Sequence, residues 1–210
     1  MLKALGIDVS TPTIAVFTSP FGVGKSTIMA SLIKELADNG KRILILGDDN
    51  YNHWAKRLKN LEVIPNGNVV YRAIGPDFNF KTSLYPTFDC LVIDSYLLNT
   101  REKLTDVFNF VKVNGITLFT TSQTRKDAPT NLTLTDIADS SKKSDVADIV
   151  VSIKKAGKIK NLLTRLKYFL FGWFLKKPNI TLSVIKNRRA KPVDIDTFID
   201  FEKINKELTK

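Results

Sequence analysis

The chain is poor in the residues that usually build redox or metal chemistry: it has one cysteine and one histidine in 210 residues. A lone thiol, Cys90, excludes an intrachain disulfide and a cysteine-built metal site. His53 stands beside Trp54 on a predicted helix with no Ser or Cys nucleophile motif to serve, so it reads as a surface or packing residue. Long apolar runs are missing too. None approaches the roughly 18 residues of a membrane span, and Met1-Leu2-Lys3-Ala4-Leu5-Gly6 has no signal-peptide core, so a cytoplasmic protein is expected. Acidic residues are absent between Asp148 and Asp194. Twelve of the 32 basic residues fall in that interval, which leaves the remainder of the chain nearly neutral against 21 acidic residues. A positive field confined to one segment points to a polyanionic partner, nucleic acid or an anionic membrane surface; the alternative is a solvated basic face.

What is present is a phosphate-binding pattern. Ser19-Pro20-Phe21-Gly22-Val23-Gly24-Lys25-Ser26-Thr27 follows the short β-rich run Ile14-Ala15-Val16-Phe17. It precedes Ile28, Met29, Leu32, Ile33, Leu36 and Ala37 at helical spacing, with Asn39-Gly40 as a stop. Gly22 and Gly24 let the backbone turn tightly and bring N–H groups to an anion, and the helix start adds its partial positive charge. In such a loop Lys25 reaches the β- and γ-phosphates of ATP, and Ser26 places a hydroxyl on Mg²⁺. Ser19 departs from the pattern G-x-x-x-x-G-K-[ST], which has glycine first; a small side chain there is compatible with the loop.

The remaining pattern is that of one α/β domain over residues 1–210, with a mostly parallel sheet and helices on both faces. Lys41–Leu46 is a predicted strand ending at Gly47-Asp48-Asp49-Asn50, where Asp49 or Asp48 orients an attacking water, acts on Mg²⁺ through one, or caps a helix over 51–60. Val69–Ile74 is a third strand. Cys90-Leu91-Val92-Ile93-Asp94 is apolar and ends in a carboxylate, so it would deliver Asp94 to the Mg²⁺ shell beside Ser26. A helix over 103–113 and a strand over 116–123 follow, the latter ending in Gln123, an amide able to sense a γ-phosphate. Residues 124–144 read as a polar loop with a short helix near 136–140; strands are expected over 147–153 and 180–185. Residues 158–177 look like an insertion whose apolar face packs on the chain's own core, docks on a neighbouring protomer, or lies in a membrane interface.

Taken in order, Ser122-Gln123, Asp139-Ser140, Ala147-Asp148-Ile149-Val150 and Lys186-Asn187-Arg188 resemble the RecA-like motor domain of DnaB-type replicative helicases, phage forms included, over roughly residues 11–202. The resemblance implies a RecA-like P-loop ATPase acting on single-stranded DNA. It also implies ATP sites shared between subunits of a homo-oligomer, with Lys186 and Arg188 acting in trans as piston lysine and arginine finger. Asp49 falls at the family's catalytic glutamate and is one methylene shorter. Residues 99–103 and 124–146 match the DNA-channel loops, which makes Arg125, Lys126, Lys142 and Lys143 candidates for phosphate contact.

The 210 residues hold no counterpart of those helicases' N-terminal domain and linker helix, so the size of the assembly, a hexamer included, stays open. The run Gly22–Thr27 with Gly40–Leu46 also resembles the ParA and MinD partition ATPases. Those proteins carry a signature lysine where this chain has Pro20, and Gly47 replaces their strand-end Asp. A recombinase-like module that uses ATP as a switch is a third option.

Overall fold

Apolar residues fill both faces of most strands, and that composition places the sheet in the middle of the molecule with cover on each side. The computed structural model describes residues 1–20, 22–47, 51–63, 68–73, 87–94, 101–124, 133–136, 145–156, 179–189 and 191–205. Its strands are β1 (Ile14–Ser19), β2 (Ile43–Gly47), β3 (Val69–Ala73), β4 (Cys90–Asp94), β5 (Thr117–Gln123), β6 (Ile149–Lys155), β7 (Ile180–Asn187) and β8 (Asp194–Thr197). The helices are α1 (Lys25–Asp38), α2 (Tyr51–Asn60), α3 (Arg101–Val113) and a short α4 (Phe201–Ile204).

These strands form one sheet in the order β3-β2-β4-β5-β1-β6-β7-β8. From β3 to β6 all neighbours are parallel. β7 and β8 then add antiparallel to the β6 edge. Parallel pairing brings Ser19, Gly47, Asp94 and Gln123 to one end of the sheet, because each closes its strand. That end is where an open α/β sheet offers a crevice to a ligand.

Period-two alternation divides the strand side chains between two cores. Ala15, Phe17, Ile43, Ile45, Val92 and Phe119 face α1, α2, α4 and the N-terminal residues Leu2, Leu5 and Ile7. Ile14, Val16, Leu44, Leu46, Leu91 and Leu118 face α3 through Val107, Phe108 and Val111. α1 buries Ile28, Met29, Leu32, Ile33 and Leu36, the stripe its spacing predicts. Asn39 then closes the helix and Gly40 takes φ 72°, which only a residue without Cβ adopts at no cost.

Most predicted strands and helices lie within two residues of the observed ones. Three features differ. A 3₁₀ turn at Leu134–Asp136 precedes the short helix expected near 136–140, of which residues 137–140 lie outside the described residues. β8 and α4 were not anticipated: β8 alternates charge with Ile195 and Thr197 and lacks an apolar run, and α4 is a single turn. The segment 158–177 lies outside the described residues.

Candidate nucleotide site

The loop between β1 and α1 has the backbone an anion cradle needs. Gly22 and Gly24 take φ 78° and 93°, in the left-handed region. Gly24 is constrained twice, since a Cβ there would also fall 2.3 Å from Cε1 of Phe201. Ser19 does not need glycine. Among the described residues Glu62 is the only non-glycine with positive φ, so Ser19 ends β1 unstrained, and its hydroxyl donates to the Pro20 carbonyl at 2.8 Å. Val23 packs half-buried against the core beneath the loop. Gly24 occupies the N-cap of α1 without a capping side chain, and no acidic residue lies in the first turn to compete with a bound anion.

Lys25 folds back over the loop. Its ammonium donates to the Ser19 carbonyl and hydroxyl, both at 3.3 Å, and to the Pro20 carbonyl at 3.4 Å. Burial holds its pKa below the ordinary lysine value, and the Asp94 carboxylate works in the opposite direction. A desolvated cation held by neutral oxygens is suited to receive phosphate. Ser26 follows in the first helical turn, half-buried, and Thr27 is buried behind it.

Asp94 ends β4 with 8% of its surface exposed, and Thr121 on β5 donates to its Oδ1 at 3.0 Å. Thr121 orients that carboxylate. Nothing in the sequence singles it out, because the contact depends on β4 and β5 being neighbours. Gln123 is paired in register with Ser19, the first residue of the phosphate loop, and its side chain is exposed. Cys90 opens β4 with its thiol pushed up to about 12 by burial, so it supplies no thiolate.

Lys186 and Arg188 lie at the other end of the sheet. Asn187 pairs with Ile149, and Asp148 accepts from Ile14 N–H at 2.9 Å, so both cations stand where β1 begins. They are separated from the chain's own loop by the six residues of β1, roughly 16 Å of strand. Arg188 donates to the Asp145 carbonyl at 2.5 Å and lies 3.7 Å from the Asp148 carboxylate; Lys186 donates to the same carbonyl at 3.3 Å. Burial and then the neighbouring Arg188 charge lower the Lys186 pKa. Arg189 reaches Thr13 and Pro12 at 3.0 and 3.1 Å. Asp48, Asp49, Arg125, Lys126, Lys142 and Lys143 lie outside the described residues. Among the described residues no group of three or more His, Cys, Asp and Glu side chains is placed to hold a metal, and no helix is long and apolar enough to cross a membrane.

No family model matches the chain, and no curated protein matches it in sequence. Solved structures do match. The ATPase domain of G40P aligns over 92% of this chain and 83% of its own, with TM-score 0.63 and 12% identity. A DnaB-like replicative helicase, solved for its interactions with primase, aligns over 92% of this chain at TM-score 0.64 and 11% identity; this chain spans 56% of it. The fold is RecA-like. The flagellar accessory protein FlaH from Methanocaldococcus jannaschii shares it over 94% of this chain and 90% of its own, at TM-score 0.61 and 12% identity. In this RecA-like frame β5 separates the phosphate-loop strand β1 from β4, which puts Gln123 beside the loop and Asp94 one strand further away.

Proposed function

We propose that the chain is an ATP-hydrolysing nucleic-acid motor, a DnaB-like translocase or helicase on single-stranded DNA whose ATP sites are shared between subunits. One observation carries this reading. Lys25, Ser26, Asp94 and Gln123 gather at one end of the sheet, while Lys186 and Arg188 stand at the other. The two sets complete one site only across a head-to-tail contact between protomers.

The residues fit a nucleotide with its metal. The glycine cradle and buried Lys25 would hold the β- and γ-phosphates, and the Ser26 hydroxyl and Asp94 carboxylate would hold Mg²⁺. The ion, when bound, neutralises charge that develops on the transferring phosphoryl group. Asp49 would orient the attacking water and Gln123 would sense the γ-phosphate. From the neighbour, Arg188 would present its guanidinium fork to the equatorial oxygens and Lys186 a point charge beside it. Arg125, Lys126, Lys142 and Lys143 would contact the DNA backbone, and the protein would act in the cytoplasm.

ATPase rate against protein concentration tests this, with and without single-stranded DNA, at low and moderate salt. The expected rate per subunit rises with concentration and with DNA, and the DNA effect weakens as salt increases. A rate per subunit independent of concentration overturns the shared site. Stimulation by anionic liposomes or duplex DNA but not by single strands overturns the motor in favour of a partition ATPase.

A further inference from the structure

The last described turn of the chain grips the phosphate loop. Phe201 and Asn205 are four residues apart, so their side chains leave one face of the α4 turn. The Phe201 ring lies on Gly24, close enough that no Cβ would fit between them. Asn205 reaches the Thr27 hydroxyl, which lies 3.1 Å from its Nδ2 and 3.3 Å from its Oδ1. Its Oδ1 also accepts from Arg57 Nε at 3.3 Å, and Asn60 donates to the Ile204 carbonyl at 3.1 Å. Arg57 and Asn60 belong to α2, and Arg57 stands over the fully buried Trp54 ring, 5.7 Å from its centroid. Trp54 in turn packs beside Gly47, the last residue of β2.

A C-terminal turn that served packing alone would need only Ile199 and Ile204, buried in the core beneath it, and the part of Phe201 that packs against that core. The additional contacts fall on Gly24 and Thr27, the two ends of the Gly-Lys-Ser-Thr run. Thr27 is 178 residues away in sequence from the amide that binds it. Resting on the nucleotide-site reading above, we infer that Phe201 and Asn205 are positioning residues for the nucleotide. They clamp the loop–helix junction in its anion-binding conformation and tie it to α2. Phe201 keeps the Gly24 backbone from rotating its N–H away from the anion. Asn205 fixes the first turn of α1 through Thr27 and, through Arg57, passes any displacement of that turn to α2, which begins just after Asp48 and Asp49.

Equilibrium binding of a fluorescent ADP analogue with Mg²⁺ to the full chain tests this, together with thermal unfolding of each variant. Asn205→Ala is expected to weaken binding about three- to tenfold, the range of one hydrogen bond, at temperatures where it remains folded. Thr27→Val should lose affinity, and Asn205→Ala combined with Thr27→Val should lose less than the product of the two single effects. Phe201→Leu should weaken binding in the same direction, and it guards against loss of the fold in any one variant. Unchanged affinity in Asn205→Ala and Phe201→Leu, or losses in the double variant that multiply, would overturn the clamp while leaving the nucleotide site intact. Equal affinities for wild type and Lys25→Ala would overturn both.

Discussion

Lys25 sets one desolvated ammonium over the loop between β1 and α1. Burial lowers its pKa, and phosphate oxygens would raise it again on binding, so the complex takes up a proton wherever the pH lies between the free and bound values. Nucleotide affinity should therefore fall as pH rises through the lowered Lys25 value, beginning below the ordinary lysine value of about 10.4. Titrating the fluorescent nucleotide between neutral and alkaline pH measures this directly. Lys25→Arg, which does not deprotonate, should bind more weakly at neutral pH yet show no alkaline loss from this residue. A wild-type profile as flat as that of the arginine variant would mean that Lys25 does not hold the phosphates. Ser19, Lys25 and Ser26 were legible in the sequence because their spacing is itself the signal. Thr121 and Asn205 were not, since each acts through a partner that is distant in sequence.

Between elements, Arg42 and Asp89 join the starts of β2 and β4. Asp89 accepts from Arg42 N–H at 2.8 Å and from its guanidinium at 3.1 Å. The side-chain hydrogen bond from Arg42 is the largest influence holding its carboxyl below the usual range. A depressed carboxylate contributes stability that is present above its unfolded pKa of about 3.9 and is lost as pH falls through the folded value. Both side chains are substantially solvent-exposed, so the contribution is small. Asp89→Asn should lower the urea midpoint slightly at pH 7. As pH falls through the lowered folded value the difference should shrink toward zero, because the wild-type carboxyl protonates. A constant difference between the two conditions would assign the effect to the backbone contact instead. Helices and strands with a complete apolar stripe, such as α1 and β2, were readable in advance because burial imposes the periodicity. β8 carries no such stripe, and it exists because β7 offers it an edge.

For the whole molecule, the separation of Lys25 from Arg188 makes a test by mixing possible. Arg188→Ala should bind nucleotide nearly as wild type and fail to hydrolyse it, whereas Lys25→Ala should lose binding. Each variant alone is expected to be inactive. Mixed in equal amounts, they should recover about a quarter of the wild-type rate, because random head-to-tail contacts pair an intact loop with an intact finger at that frequency. No recovery from two folded variants that do assemble together would place Arg188 outside the site. Recovery independent of total concentration would argue against sharing between protomers.

The phosphate loop, its flanking strand and helix, and the carboxylate-ended strand β4 were set by local pattern, since glycine spacing, helical periodicity and uninterrupted apolar runs act over a few residues. Tertiary structure alone decided which strands are neighbours. It thereby decided that Gln123 stands beside Ser19, that Thr121 steadies Asp94, and that Lys186 and Arg188 face away from the chain's own loop. It also brought Phe201 and Asn205 back onto Gly24 and Thr27. Those contacts link residues separated by tens to well over a hundred positions, and only the order and register of the sheet bring them together.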